Sequence, residues 1–385
     1  MTAGTGRAAI SRNGLARLRE LAANHRSATI LIGWALVGVL LPIVVLIPPF
    51  STFQVQTLWI GGFANSGVFI LLALGLNIVV GLAGLLDLGY AAFFAIGSYA
   101  YAFGASSFTG LHVPFWPMLL VGALAAATFG ILLGAPTLRL RGDYLAIVTL
   151  GFGEIVPAIF LNADKYTRGT NGIGGVAQPD LGPIKFNFSD PLPFYITMLV
   201  ILALVMVFIY RLQGSRLGRA WMAIREDELA AASSGVNTIT TKLLAFALGA
   251  STAGFAGVFN ASQLGIVSPD QFGFAVSFTV LAMVVLGGMG NAWGVAIGAF
   301  VLYEIQSVLL KQLNQFFQGQ HIPILQNIDF VQYQFLLYGL ALVGMMLLRP
   351  EGLFPSRRRQ QELHAAAGDV DPADVPAPTN ELGDA

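Results

Sequence analysis

The sequence predicts an all-α polytopic membrane protein, and three observations carry that prediction. Of its 385 residues 56% are hydrophobic and only 10% are charged, whereas a soluble globular chain is about 25% charged. Mean hydropathy is +0.72. The apolar residues gather into runs of about 18 to 25, the length a helix needs to cross a hydrocarbon core. Such a chain cannot cover itself with a normal soluble surface, so soluble catalysis is excluded and no catalytic residue is assigned. Lys and Arg number 20 and Asp and Glu number 20, a net charge of zero that calls for no nucleic acid or other polyanion. There is no cysteine, and His25, His112, His321 and His364 are too scattered for the usual metal spacings.

Taken in order, the apolar runs give about ten spans, near 28–49, 58–80, 90–107, 114–138, 144–162, 193–210, 240–264, 273–289, 293–312 and 331–348. The basic residues orient them. Arg7, Arg12, Arg17, Arg19 and Arg26 precede the first span, and Arg139 and Arg141 separate the fourth from the fifth. Arg211, Arg216, Arg219, Arg225 and Lys242 flank the loop after the sixth, and Arg349 and Arg357 to Arg359 follow the tenth. These fall on one side, while Lys165, Arg168, Lys185 and Lys311 fall on the other, so the positive-inside rule places both termini in the cytoplasm.

Residues 1–27 read as a basic cytoplasmic extension in which 14–25 is amphipathic enough for a short surface helix, and 28–355 as the transmembrane domain. The first run lacks a small-residue cleavage site and reads as a retained span. Residues 356–385, acidic after Arg359 and rich in Ala, Gly and Pro, read as a disordered cytoplasmic tail. The longest external segment is 163–192 and the longest internal one is 211–238.

Many of the 45 glycines lie inside spans. Gly290, Gly294 and Gly298, then Gly249, Ala253 and Gly257, then Gly130 and Gly134 recur every fourth residue and predict close helix contacts. Gly81 with Gly84, and Gly151 with Gly153, are candidate helix breaks. Polar residues within or beside spans are few: Asn77, Asp87, Glu154 and Glu304 are the candidates for a pathway or a subunit interface, because an intramembrane carboxylate must face protein or water. Glu154 or Glu304 would also serve a proton-coupled carrier. No Gly-x-x-x-x-Gly-Lys-Ser/Thr occurs, so this chain holds no P-loop of its own.

The internal segment contains Arg225-Glu226-Asp227-Glu228-Leu229-Ala230-Ala231-Ala232, followed by Gly235. Acidic residues suit a helix N-terminus, alanines admit a close partner and glycine stops a helix. This arrangement resembles the coupling segment of ABC-transporter permeases, with 219–235 as the coupling helix.

Several runs together resemble one family, the LivM-type permeases of bacterial branched-chain amino-acid ABC importers. They are Ala73 to Gly81 continuing through Gly84 to Tyr99, Leu138 to Ile155, Ile224 to Ala232, and Ser277 to Gly294 with its Leu-Gly-Gly-Met-Gly-Asn core. The resemblance covers about 28–355. Asp87 stands where relatives commonly have Ser, and Tyr90 where they often have His. Urea and short-chain amide importer permeases look similar overall, though Gly142 to Glu154 matches the amino-acid group more closely. The resemblance implies an ABC-importer permease fold in the bacterial plasma membrane, with no cofactor in this chain. It implies a homologous second permease, two cytoplasmic ATPases that consume ATP, and an external solute-binding protein. The outer segment, with Asn171, Gly172, Ile173 and Gly174, is the expected docking site for that binding protein. A non-transporting membrane scaffold is the remaining reading.

Overall fold

The computed structural model describes residues 53–138, 140, 142–180, 186–187, 190–319, 332–349 and 352–354, with positions 33, 38 and 40–42 of the first apolar run. Most of the first expected span, the surface helix at 14–25 and the tail 356–385 lie outside the described residues.

Helix α1 (Phe53–Leu76) runs directly into a π-helical turn, Asn77–Leu82. It is followed by α2 (Ala91–Ala105), α3 (Phe115–Thr137), α4 (Asp143–Asn162) and a single turn α5 (Asp164–Thr167). Next come α6 (Leu192–Gln213), α7 (Arg216–Glu226), α8 (Glu228–Ser233) and α9 (Thr238–Leu264), then α10 (Phe274–Gly287) and α11 (Ala292–Glu304). A second π segment, Ile305–Leu309, joins α11 to α12 (Leu310–Gly319), and α13 (Gln334–Leu348) follows. Two-residue strands β1 (Ile173–Gly174) and β2 (Ile266–Val267) pair antiparallel.

Seven of these helical stretches among the described residues are long and apolar enough to cross a membrane, and Ala91–Ala105 and Gln334–Met345 are shorter apolar helices. The chain is a multi-pass helical membrane protein. The ends of its helices follow from local chemistry. The side chains of Ser215, Asn237 and Asn291 cap α7, α9 and α11 by accepting from Gly218 N, Thr240 N and Trp293 N. Gly265, at φ +69°, ends α9.

Helices α1 and α9 form the centre, with α9 packed chiefly on α3 and α2, and α1 on α9, α11 and α6. Small residues permit this. A Cβ on Gly257 would stand 2.4 Å from Phe94 O, and one on Gly130 2.8 Å from Ala250 Cβ. Gly294 and Gly298 likewise press on Gly287, but Gly290 lies in the turn between α10 and α11 rather than on a helix face. The two candidate breaks diverge. The helix does depart from α geometry at Gly81, whereas α4 runs unbroken through Gly151 and Gly153, and Gly153 instead lets the chain at Gly89 approach.

Candidate functional site

The expected coupling helix over 219–235 is two helices. Asp227 takes extended backbone (φ −153°) and its side chain accepts from Leu229 N at 2.8 Å and Ala230 N at 3.0 Å. That N-cap starts α8 afresh and ends α7. Gly235, at φ +86°, lies just beyond α8. Trp221, fully buried, anchors α7 by donating from Nε1 to Thr241 O at 2.6 Å. Lys242 Nζ and Glu228 Oε1, 2.6 Å apart, tie α8 to the start of α9.

This anchoring decides which residues face out. Glu226, Asp227, Ala230, Ala232 and Gly235 are exposed, Leu229 is 69% exposed, and Glu228 is half-buried. Ala231 is not available to a partner; it is 4% exposed and faces its own subunit. Arg225 also turns inward, where its Nη1 donates to Gly81 O at 2.5 Å.

At the opposite end of the bundle the segment after α4 is pinned rather than free. Ile173 pairs with Val267 and Gly174 with Ile266. Val176 N donates to Gly265 O at 3.2 Å and Ala177 N to Ala105 O at 2.9 Å, fastening the segment to the ends of α9 and α2. Gly172 has φ +69°, and a Cβ there would stand 2.5 Å from Val267 O. Gly172 and Ile173 are therefore buried in this clamp, and of the four expected docking residues Asn171 is exposed and Gly174 is partly so. Lys165, Arg168 and Tyr166 are exposed beside them, with the Arg168 guanidinium 4.6 Å from the Phe108 ring centre.

The four polar candidates for a pathway or interface also separate. Glu154 is exposed on α4, where its Oε1 accepts from Phe274 N at 3.1 Å at the start of α10. Asn77, Asp87 and Glu304 are enclosed within this chain instead. Asn77 Oδ1 accepts from Gly290 N at 2.8 Å. Glu304 lies against Gly62, where a Cβ would stand 3.2 Å from its Oε2, so it belongs to the contact of α11 with α1. Asp87 Oδ1 accepts from Gly89 N at 2.9 Å. Burial pushes its carboxyl up to about 6, only partly offset by the Gly89 N–H and by Thr149 alongside. The Thr149 hydroxyl has Ala146 O as its acceptor at 3.1 Å, which leaves Asp87 Oδ2 without a hydrogen-bond partner.

With this geometry in place, a family model described as "Branched-chain amino acid transport system / permease component" matches residues 58–348. The chain belongs to that permease family. It is 43% identical to the high-affinity branched-chain amino acid transport system permease protein LivM of Escherichia coli (strain K12), over 78% of this chain and 71% of that protein. It is 28% identical to the corresponding permease protein LivH of Salmonella typhimurium, over 63% and 81%. The autoinducer 2 import system permease protein LsrC of an Enterobacter strain is 30% identical over 86% and 88%. No solved structure matches.

In this permease, runs distant in sequence converge at one end of the bundle. Gly81, Gly84, Arg225 and Gly290 are neighbours there, Lys242 lines the same cavity as Gly84 and Arg225, and beside Gly290 Phe354 N donates to Gly287 O and Asn291 Nδ2 to Phe354 O. A cavity of about 280 Å³ opens behind α7, lined by Ala83 to Leu86, Leu140, Gly142, Leu145, Ile224, Arg225, Glu228 and Lys242. Sequence reasoning missed Lys242 as the partner of Glu228 in the internal segment. The signal was an isolated lysine in the second turn of an otherwise apolar span, which demands a nearby carboxylate. Among the described residues no three His, Cys, Asp or Glu side chains gather as a metal site.

Proposed function

We propose that this permease is one transmembrane subunit of an ATP-driven importer for branched-chain or related amino acids in the bacterial plasma membrane. The family match over residues 58–348 carries that reading. Similarity to both LivM and LivH supports a homologous second permease as its partner, the two enclosing the translocation path between them. Helix α4 supports the placement of that path: only 22% of its most apolar stretch is buried, and it exposes Glu154 among Tyr144, Ile147, Ile155 and Ile159. A carboxylate at that depth needs protein or water rather than lipid before it.

The exposed edge of α7 and α8 meets a cytoplasmic ATPase, with Leu229, Ala230 and Ala232 in contact and the exposed carboxylates of Glu226 and Asp227 at the rim. At the other end Asn171, Gly174 and the cations Lys165 and Arg168 receive an external solute-binding protein. ATP binding draws two such ATPases together, the coupling segments follow, and the permease pair exchanges its inward and outward openings. The chain itself makes and breaks no covalent bond. The test is leucine uptake into vesicles carrying the permease pair and ATPases with a loaded binding protein outside. Uptake is expected to need internal ATP and to survive collapse of the proton gradient. Uptake driven by the gradient without ATP would replace the ABC reading with a proton-coupled carrier.

A further inference from the structure

Helix α1 leaves α geometry in its last turn. Ala83 N reaches back five residues to Ile78 O at 3.2 Å, and Leu85 N six residues to Val79 O at 3.0 Å. Such π turns are rare and concentrate at functional sites. The last carbonyls of a helix lack partners within it and carry the negative end of its dipole. Here the Gly81 carbonyl takes the Arg225 guanidinium from α7 at 2.5 Å, a cation against that negative end.

The other face of the same turn is held as tightly. Asn77, wholly buried, accepts from Gly290 N at 2.8 Å, and Gly290 holds φ +84° in the turn between α10 and α11. There is no slack between these parts. A Cβ on Gly81 would stand 2.0 Å from Asn77 Oδ1 and 2.7 Å from Gly290 N, and a Cβ on Gly84 would stand 2.8 Å from Arg225 Cγ. Asn77 Nδ2, by contrast, is buried without a hydrogen-bond partner. Native folds rarely leave a buried donor so, and such a group marks a place of strain or function.

We propose that the π turn Asn77–Leu82 is a relay, with Arg225 and Asn77 as positioning residues that convert displacement of α7 into displacement of the α10–α11 turn. A π turn contains one residue more than the α path needs, and shifting that surplus along the helix rotates the side chains it passes. Arg225 grips the turn at Gly81, so movement of α7 shifts it. Asn77 then moves against Gly290, and its idle amide finds an acceptor in the second arrangement. The link is contiguous from α7 through the π turn to the turn between α10 and α11, a packed chain of the kind through which coupling can travel.

This inference rests on the reading of α7 and α8 as the ATPase contact. The experiment uses the complete importer in vesicles and measures leucine imported per ATP hydrolysed, alongside copurification of the ATPases. ATP-dependent uptake by the parent tests the functional reading alone; if it is absent, both fall. With a coupled parent, Asn77→Ala and Arg225→Gln are each expected to keep the ATPases bound and hydrolysing while import per ATP drops about tenfold. Because both act on one turn, the double variant should lose no more than either single. Gly84→Ala sets a Cβ against Arg225 and strains a backbone held at φ +70° at the exit of the turn, with both hydrogen-bonding groups kept, and should reproduce the loss. Full coupling in Asn77→Ala, or losses that multiply in the double variant, would overturn the relay. So would loss of assembly in every variant, since the contacts would then hold the fold and carry no motion.

Discussion

Asp87 and Lys242 are two ionisable side chains at the same end of the molecule, and the fold treats them differently. Asp87 is withdrawn from water with one partner, Gly89 N, so its carboxyl rises from 3.8 to about 6, a change worth about 3 kcal/mol. The folded state then holds the proton more tightly than the unfolded state. The stabilisation it gives is complete below about pH 4 and is lost as the pH rises through about 6. Asp87→Asn keeps the acceptor for Gly89 and cannot ionise. Its Tm in detergent should stay level between about pH 4 and 7 while the parent's declines by several degrees; parallel curves would show that the carboxylate reaches water. Lys242 is enclosed but paired with Glu228, whose own side chain is 36% exposed. Charge at Glu228 thus serves the subunit before it serves any partner. Glu228→Lys, which sets two cations where an ion pair stood, should lower Tm and the yield of assembled subunit far more than Glu228→Gln. Equal effects of the two variants would mean that the pair is solvated.

At the scale of elements, sequence spacing found the helices well and their junctions poorly. The internal segment 211–238 was legible because its polarity interrupts apolar runs, and Gly235 does sit beyond a helix end. The restart at Asp227 was not legible, because Glu226-Asp227-Glu228 suits the first turn of a helix as well as a cap between two. Nor was the inward face of Ala231 and Arg225, which depends on Trp221 and Glu228 docking against Thr241 and Lys242 of α9. The clamp between β1 and β2 escaped for a related reason: two-residue strands carry no alternation for a pattern to reveal. The corrected face changes the experiment that tests the coupling segment. Leu229→Arg alters an exposed contact and should reduce ATPase copurification about tenfold with the subunit's Tm intact. Ala231→Arg forces a long charged side chain into a buried site and should lower Tm itself. If Leu229→Arg left copurification unchanged, this edge of α8 would not be the ATPase contact.

On the scale of the whole molecule, the described residues gather at two ends. One gathers Gly81, Arg225, Lys242, Gly290 and Phe354, and the other gathers Phe108, Arg168, Ile173 and Val267. The basic residues sort with them. Arg211, Arg216, Arg219, Arg225 and Lys242 belong to or flank the first end, and Lys165 and Arg168 the second. By the positive-inside rule we propose that α7 and α8 face the cytoplasm. Because the chain has no cysteine, the orientation can be read without removing any native group. A cysteine at Thr170, exposed beside Asn171, should react with a membrane-impermeant maleimide in intact spheroplasts, whereas one at Ser233, exposed at the end of α8, should react only after permeabilisation. The reverse pattern would invert every assignment of partner to surface: the ATPases could not meet α8, the binding protein could not meet Asn171, and the relay from Arg225 to Gly290 would begin on the wrong side of the membrane.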